Sequence, residues 1–138
     1  MVAYDIDWFI ENRVIMHRYP ATVSLEQLAE QFDSIHDMIN EVSVDASLVH
    51  VLMNAENLDH YPKQIAKIGN TAKSLLDNPK LGWVIFYGRD DRLMQFISSA
   101  VAAMFRTRFR FFYTQEEAFA FLNSVDQELP DLSKRQMT

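Results

Sequence analysis

Three polar residues near the middle of the chain, Glu56, Asp59 and His60, are of types that bind metal ions or transfer protons. They follow an apolar segment, residues 47–54, which is typical of a strand buried on both faces. Open α/β sheets bind ligands at the carboxyl ends of such strands, so these residues and Asn54 are candidate contacts for a ligand or partner. No second histidine lies nearby, and an exposed loop before a helix has the same composition. We therefore predict no metal ion and no catalytic residue here.

A second group of charged residues follows the next apolar segment, residues 81–87. Arg89 and Arg92 could hold an anion at the start of a helix, where backbone N–H groups are unpaired. Asp90 and Asp91 lie between them and would repel a phosphate, while either can cap that helix. The segment has no glycine-rich loop of the P-loop or dinucleotide-binding type. Local capping is the favoured interpretation, and both arginines stay candidate contacts.

Three further arginines, Arg106, Arg108 and Arg110, lie in a segment where charged and aromatic residues alternate. Arginine beside aromatic rings can bind single-stranded nucleic acid, but charge also protects the edge strand of a sheet. The net charge is −6 and the chain has only five lysines, which favours an edge strand. We predict no nucleic-acid partner.

Charge is distributed unevenly along the chain. Residues 1–79 contain twelve acidic and five basic residues, whereas residues 80–113 contain six basic and two acidic residues. Such asymmetry can steer a charged partner or pair two copies, although it is also common on an ordinary solvated surface.

The absence of cysteine excludes thiol catalysis, thiolate metal sites and disulfides. No serine lies on a nucleophile elbow, so we predict that the chain is not an enzyme and uses no cofactor.

Length and composition predict one domain in the cytoplasm. A chain of 138 residues with 49% apolar residues is long enough for one packed core. Residues 1–12 contain three acidic residues and no basic one, unlike a signal peptide. The longest uncharged apolar run, residues 93–105, is shorter than the roughly 20 residues that span a bilayer as a helix. We therefore predict no membrane association.

Apolar periodicity predicts elements in the order β-β-α-β-α-β-α-β-α. Residues 4–18 predict an antiparallel hairpin around a polar turn. Ser24 with Gln27, and Thr114 with Glu117, have the spacing of capping boxes and predict two helix starts. The other predicted elements are strands near 47–54, 81–87 and 109–113, and helices near 62–77 and 91–106. The latter helix has a wide apolar stripe made of Leu93, Phe96, Ile97, Ala100, Val101, Met104 and Phe105.

Three consecutive βαβ units imply parallel strands, and the opening hairpin adds an antiparallel edge. The predicted fold is therefore α/β, with a mixed, mostly parallel sheet of about five strands, in a single domain over residues 1–126. Residues 127–138 are polar and aperiodic, and we expect them to be a mobile tail. Parallel neighbouring strands place the turns 54–61 and 88–92 at one edge of the sheet, where they form a crevice.

Two expectations concern aromatic and histidine side chains in the strands. Tyr4, Trp8 and Phe9 concentrate in the opening hairpin, where they could form an interface, so we predict a homodimer. His50 lies within a buried strand and is expected to be a satisfied core residue rather than a ligand.

Three passages resemble the STAS superfamily, which is named for sulphate transporters and anti-sigma-factor antagonists. They are residues 22–28 after the hairpin, the strand 83–88, and the strand and capped helix over 105–122. The pattern is similar to small stand-alone bacterial members that resemble the sporulation anti-sigma-factor antagonist. The resemblance implies a signalling or scaffolding domain that binds another protein.

The resemblance also implies a phosphorylation site that this chain does not have. In the antagonists a serine at the start of the second main helix, in an Asp-x-Ser-Gly type of segment, is phosphorylated by the partner kinase. The matching stretch, residues 54–62, contains no serine or threonine, and none occurs over residues 48–70. A carboxylate there would imitate a phosphate only partly, because a phosphate carries about −1.5 to −2 charges.

We therefore predict a non-enzymatic regulatory or scaffolding protein-interaction domain that lacks the phosphorylatable serine. The alternative is a small-ligand or nucleotide-binding domain that uses the crevice at the C-terminal edge of the central strands. Both hypotheses use the same six candidate residues: Asn54, Glu56, Asp59, His60, Arg89 and Arg92.

Overall fold

The computed structural model describes residues 5–42 and 47–135. Within these ranges the chain forms five strands and four helices in the predicted order, followed by a short 3-10 turn at Leu132–Arg135. The elements are β1 Asp5–Ile10, β2 Val14–Arg18, α1 Leu25–Asn40, β3 Val49–Asn54, α2 Ile65–Leu76, β4 Leu81–Tyr87, α3 Arg92–Met104, β5 Phe109–Phe112 and α4 Gln115–Val125. None of these helices combines the length and apolarity needed to cross a bilayer.

The five strands form one mixed sheet in the order β1-β2-β3-β4-β5. β1 and β2 are antiparallel, and every later pair is parallel. The hairpin turns at Asn12, whose φ of 65° lies in the left-handed region that asparagine tolerates better than most residues. The predicted mixed α/β fold is confirmed.

The helices lie on the two faces of the sheet unequally. α1, α2 and α3 connect parallel strands that are neighbours in both sequence and space, so crossovers of one hand place all three on the same face. α4 follows the last strand and covers the opposite face. Side chains therefore alternate along each strand: Ile15 and Val51 belong to the core under α1–α3, whereas Met16 and Leu52 belong to the core under α4.

The predicted helix starts are confirmed by their caps. Ser24 accepts a hydrogen bond from the N–H of Gln27, whose side chain bonds back to the Ser24 N–H, and Thr114 with Glu117 forms the same capping box. Asp91, one of two candidates, caps α3 by accepting from the N–H of Met94.

The predicted apolar stripe of α3 is only partly buried. Leu93, Phe96 and Met104 are 46%, 63% and 51% exposed, while Met94 and Ile97 are buried. The stripe is wider than the surface that the sheet and α2 can cover, so its outer edge remains in solvent.

Arg13, His50 and Asp126 form a polar network, the basal network, near the N-terminal ends of the central strands. His50 Nδ1 accepts from the N–H of Trp83 at 2.9 Å, so the ring proton is on Nε2, which donates to Asp126 Oδ2 at 2.8 Å. Arg13 also bonds Asp126. Burial lowers the pKa of His50 more than the bond to Asp126 raises it. His50 is a satisfied core residue, as predicted.

The boundary expected at residue 126 is corrected. Leu129 and Leu132 are buried in the core under α4, and the Leu132 N–H donates to Asn123 Oδ1 at 3.0 Å. Leu129 and Leu132 cover the apolar side of α4. The polar composition of residues 127–138 gives no indication of this contact. The segment up to residue 132 is therefore packed, and the single domain stays a prediction.

Candidate functional site

The two candidate turns meet at one edge of the sheet. β3 and β4 are parallel, and their last residues, Asn54 and Tyr87, lie opposite each other, so both strands end at the same edge of the sheet. The Ala55 N–H donates to the Tyr87 carbonyl at 2.9 Å, which holds the first turn beside the second. The turns over 54–61 and 88–92 are therefore adjacent.

Four of the six candidate residues form one polar cluster, the rim cluster, made of Asn54, Glu56, Asp59 and Arg89. Arg89 Nη1 donates to Asp59 Oδ1 at 3.1 Å and to the Glu56 carbonyl at 3.4 Å. Asn54 Nδ2 donates to Glu56 Oε1 at 3.1 Å, and Asn54 Oδ1 accepts from the Glu56 N–H at 2.9 Å. The Arg89 and Asp59 side chains are 32% and 57% exposed, so their ion pair contributes at most about 1 kcal/mol.

His60 and Arg92 lie outside this cluster. His60 contributes its backbone: its carbonyl accepts from the Val23 N–H at 2.9 Å, and its N–H donates to the Ala21 carbonyl at 3.0 Å. The side chains of His60 and Arg92 form no hydrogen bond or ion pair with another residue that the structure describes. In the same ranges, no three histidine or carboxylate side chains come together as a metal site requires.

Tyr61 makes a contact with Asp91 that was not predicted from the sequence. Its hydroxyl donates to Asp91 Oδ2 at 3.0 Å, while Asp91 Oδ1 caps α3. Burial, assisted by this bond and by the charge of Asp91, raises the pKa of Tyr61 to about 12. Asp91 therefore both caps α3 and tethers the first turn. No local pattern marks Tyr61, because the contact joins residues 30 positions apart.

Gly88 allows the two turns to approach each other. Its φ of 110° is unfavourable for other residues, and a Cβ there would lie 2.6 Å from Glu56 Cγ and 2.9 Å from the Glu56 backbone nitrogen. We expect Gly88→Ala to lower the free energy of unfolding by about 2 kcal/mol, measured by urea denaturation. Arg89→Gln is the control, since loss of the exposed ion pair should cost at most about 1 kcal/mol. An alanine variant as stable as the parent would show that the turns do not touch.

The candidate dimer surface is divided between two faces of the hairpin. Trp8 and Phe9 are neighbours on β1 and point to opposite sides of the sheet. Trp8 packs at the margin of the core under α1–α3, and Phe9 contacts Phe119 of α4 at a ring distance of 5.3 Å. Both are partly buried, and Tyr4 lies outside the described residues. The homodimer stays a prediction.

An exposed apolar patch, made of Leu93 and Phe96, lies on the helix that follows the rim cluster. The two side chains are three positions apart in the first turns of α3, so they lie on one side of the helix. α3 begins directly after the 88–91 turn, so Leu93 and Phe96 follow Arg89 of the rim cluster by four and seven positions along the chain. Phe96 is the most exposed large apolar side chain among the described residues.

Two of the three arginines near β5, Arg108 and Arg110, contact their own chain. β5 is an edge strand, as predicted. Arg108 Nη2 donates to the Leu81 carbonyl at 3.1 Å, and Arg110 lies over the Phe121 ring at 4.6 Å from its centroid. Cation–π packing of this kind secures the edge strand to α4.

An apolar cavity of about 90 Å³ lies between the sheet and the helices α1–α3, below the rim cluster. Side chains that line it include Leu58, Ile68, Ala72, Phe86, Ala102 and Thr107.

Comparisons with known proteins identify the fold. No protein-family model matches the chain, and no curated protein matches it. An uncharacterized protein of the DUF3478 family with a SpoIIAA-like fold, from Shewanella loihica PV-4, superposes with a TM-score of 0.59 and 13% identity, over 87% of this chain and 92% of that one. The Bacillus cell fate determinant SpoIIAA, in its phosphorylated form, has a TM-score of 0.51 and 11% identity, over 87% and 99%. The chain therefore has a STAS-like fold of the SpoIIAA type.

Proposed function

We propose that this chain is a regulatory or scaffolding module that binds another protein and catalyses no reaction. The observation that carries the proposal is the apolar patch on the helix that follows the rim cluster. Protein interfaces combine a central apolar or aromatic contact with a polar rim, and Phe96 with Arg89 and Asp59 provides both components. SpoIIAA, which shares the fold, is a cell fate determinant that occurs in a phosphorylated form.

We propose that phosphorylation of the first turn does not control this interaction. Residues 48–70 contain no hydroxyl amino acid except Tyr61, whose hydroxyl is bonded to Asp91. The Asp59 carboxylate is paired with Arg89, and the Glu56 carboxylate accepts a hydrogen bond from the neutral Asn54 amide, so only one of the two negative charges is balanced. A partner would therefore meet one constant surface rather than a phosphate-dependent one.

We propose that the chain is not a catalyst because the polar side chains of each group, the rim cluster and the basal network, are hydrogen-bonded to one another within that group. Arg89 bonds Asp59 in the rim cluster, and His50 bonds Asp126 in the basal network, where His50 Nδ1 also accepts from a backbone N–H. Neither group contains a serine, threonine or cysteine nucleophile next to a base. The homodimer and the cytoplasmic location are proposals that rest on the sequence.

A nucleotide or anion in the crevice has less support. The N–H of Met94 in the first turn of α3 is bonded by Asp91, and Arg89 is held by Asp59. An incoming phosphate would have to displace one carboxylate while near a second.

The test is site-specific photo-crosslinking in the cells that produce the protein. A photoreactive phenylalanine analogue replaces Phe96, and the matched control carries it at exposed Ala120 of α4, on the opposite face. We expect one protein to be captured from position 96 and not from position 120. The purified partner should bind the Phe96→Ser and Arg89→Glu variants at least tenfold more weakly than the parent, and Ala120→Ser equally well. Equal capture at both positions, or none at position 96, would contradict the proposal.

A further inference from the structure

The residues that line the apolar cavity include none of those that form the proposed protein-binding surface, although Glu56 and Asp59 of that surface lie on the segment that covers it. We propose that the cavity is a binding site for a small uncharged molecule that has an apolar part of about four carbon atoms and one hydrogen-bonding group. The size of the apolar part follows from the volume of the cavity. A cavity of about 150 Å³ holds benzene, and this one measures about 90 Å³.

The lining determines the charge of the ligand. None of the residues around the cavity is charged, and most are aliphatic or aromatic, such as Ile68, Met94 and Phe86. An ion would lose its hydration there without gaining a partner, so only an uncharged molecule can enter. Water is also disfavoured, because it needs two to four polar partners.

The hydroxyl groups around the cavity indicate one polar contact. Tyr61 donates to Asp91 at 3.0 Å, Ser98 to the Met94 carbonyl at 2.7 Å, and the buried Tyr19 makes a long contact of 3.7 Å with Met53 Sδ. Thr107 Oγ1 is buried and has no hydrogen-bond partner in the described part of the chain. A ligand hydroxyl or carbonyl that reached Thr107 would satisfy this group.

The segment over residues 55–64, the lid segment, covers the cavity at the C-terminal edge of the sheet. It contains no helix or strand, and its Leu58, Tyr61 and Pro62 line the cavity. The Tyr61–Asp91 and Asp59–Arg89 contacts tie it to the turn before α3. Backbone hydrogen bonds also hold it, from Ala55 to Tyr87 and from residues 59–60 to Ala21 and Val23. The side-chain contacts involve exposed or half-buried groups and the segment has no helical ladder of its own, so it can open at lower cost than the packed helices. Ligand entry is therefore assigned to this side.

The first test uses xenon and 1-butanol as probes of the purified protein, followed by NMR of backbone amides and methyl groups. We expect both probes to shift resonances of Ile68, Ile97 and Ala102, with saturation, and to leave the core under α4 unchanged. Thr107→Val should weaken 1-butanol binding severalfold and leave xenon binding unchanged. Absence of saturable shifts with both probes in the parent protein would overturn the proposal.

Filling the cavity provides the second test. Ala102→Leu and Ala72→Leu each add three carbon atoms at a lining position, and both should abolish probe binding while the melting temperature stays equal or rises. Ala103→Leu is the matched control, because it is exposed on the same helix and should bind both probes normally. Two filling positions are used so that one misfolded variant does not decide the result. Unchanged probe binding in a folded Ala72→Leu or Ala102→Leu variant would place the probes elsewhere and overturn the proposal.

Discussion

Asp126→Ala is expected to lower the free energy of unfolding by about 3 kcal/mol, at the lower end of the range for breaking a buried ion pair. The carboxylate of Asp126 bonds both Arg13 and His50, and the Asp126 and Arg13 side chains are only 16% and 18% exposed. Without it, the Nε2–H of His50 would lose its partner, and the Arg13 guanidinium would keep only the exposed Glu128, in a poorly hydrated place. Urea denaturation at pH 7 measures the effect.

Glu128→Gln is the matched control for this variant. Glu128 also approaches Arg13, at 3.6 Å, but its side chain is 73% exposed, so we expect a loss within about 0.5 kcal/mol. Similar effects for the two variants would mean that burial does not determine how much the basal network contributes to the free energy of unfolding. An Asp126→Ala variant within 1 kcal/mol of the parent would contradict the observed hydrogen bonds.

The second large effect expected is a loss of stability in mild acid that originates at His17. His17 lies on β2, is fully buried and packs against Tyr19 at a ring distance of 4.1 Å. Burial lowers the pKa of His17 to about 3. The Gln31 amide lies close enough to raise that pKa slightly, although no hydrogen bond of normal geometry joins the two side chains.

The direction of the pH effect follows from proton binding in the two states. Between pH 6.5 and about 3 the unfolded chain carries a proton on His17 and the folded chain does not. The stability contributed by the neutral ring is therefore present above pH 6.5 and is lost as the pH falls. From pH 7 to pH 5 the loss from this group is about 2 kcal/mol. The pKa of His50 is also lowered, which adds a loss of the same sign.

His17→Leu should remove this part of the pH dependence. Relative to the parent, the leucine variant should gain about 2 kcal/mol more at pH 5 than at pH 7, measured by urea denaturation at both values. Gln31→Leu is the control, because it replaces the buried neighbour by a group that does not titrate and should shift stability equally at both pH values. If His17→Leu left the difference between pH 5 and pH 7 unchanged, His17 would have to be charged or accessible to water in the folded protein.

The order of the elements and the position of the candidate turns could be predicted from the sequence because they depend on local signals. Apolar periodicity, the capping boxes at Ser24 and Thr114, and the buried run over residues 81–87 each report on a few neighbouring residues. Consecutive parallel strands then require the turns after β3 and β4 to lie at one edge. Arg89 and Asp59 meet there.

The contacts within the site depend on residues far apart in the chain, so only the tertiary structure decides them. The same periodic stripe contains buried Ile97 and exposed Phe96, because a stripe shows that a helix face is apolar and not how much of it neighbours cover. Arg13 and Asp126 are 113 positions apart, and no local pattern links them. The unpartnered ring of His17 and the cavity beside Thr107 likewise result from how α1, α2 and α3 pack on the sheet. The sequence determined which surfaces are apolar and where the strands end, and tertiary packing decided which side chains those surfaces cover.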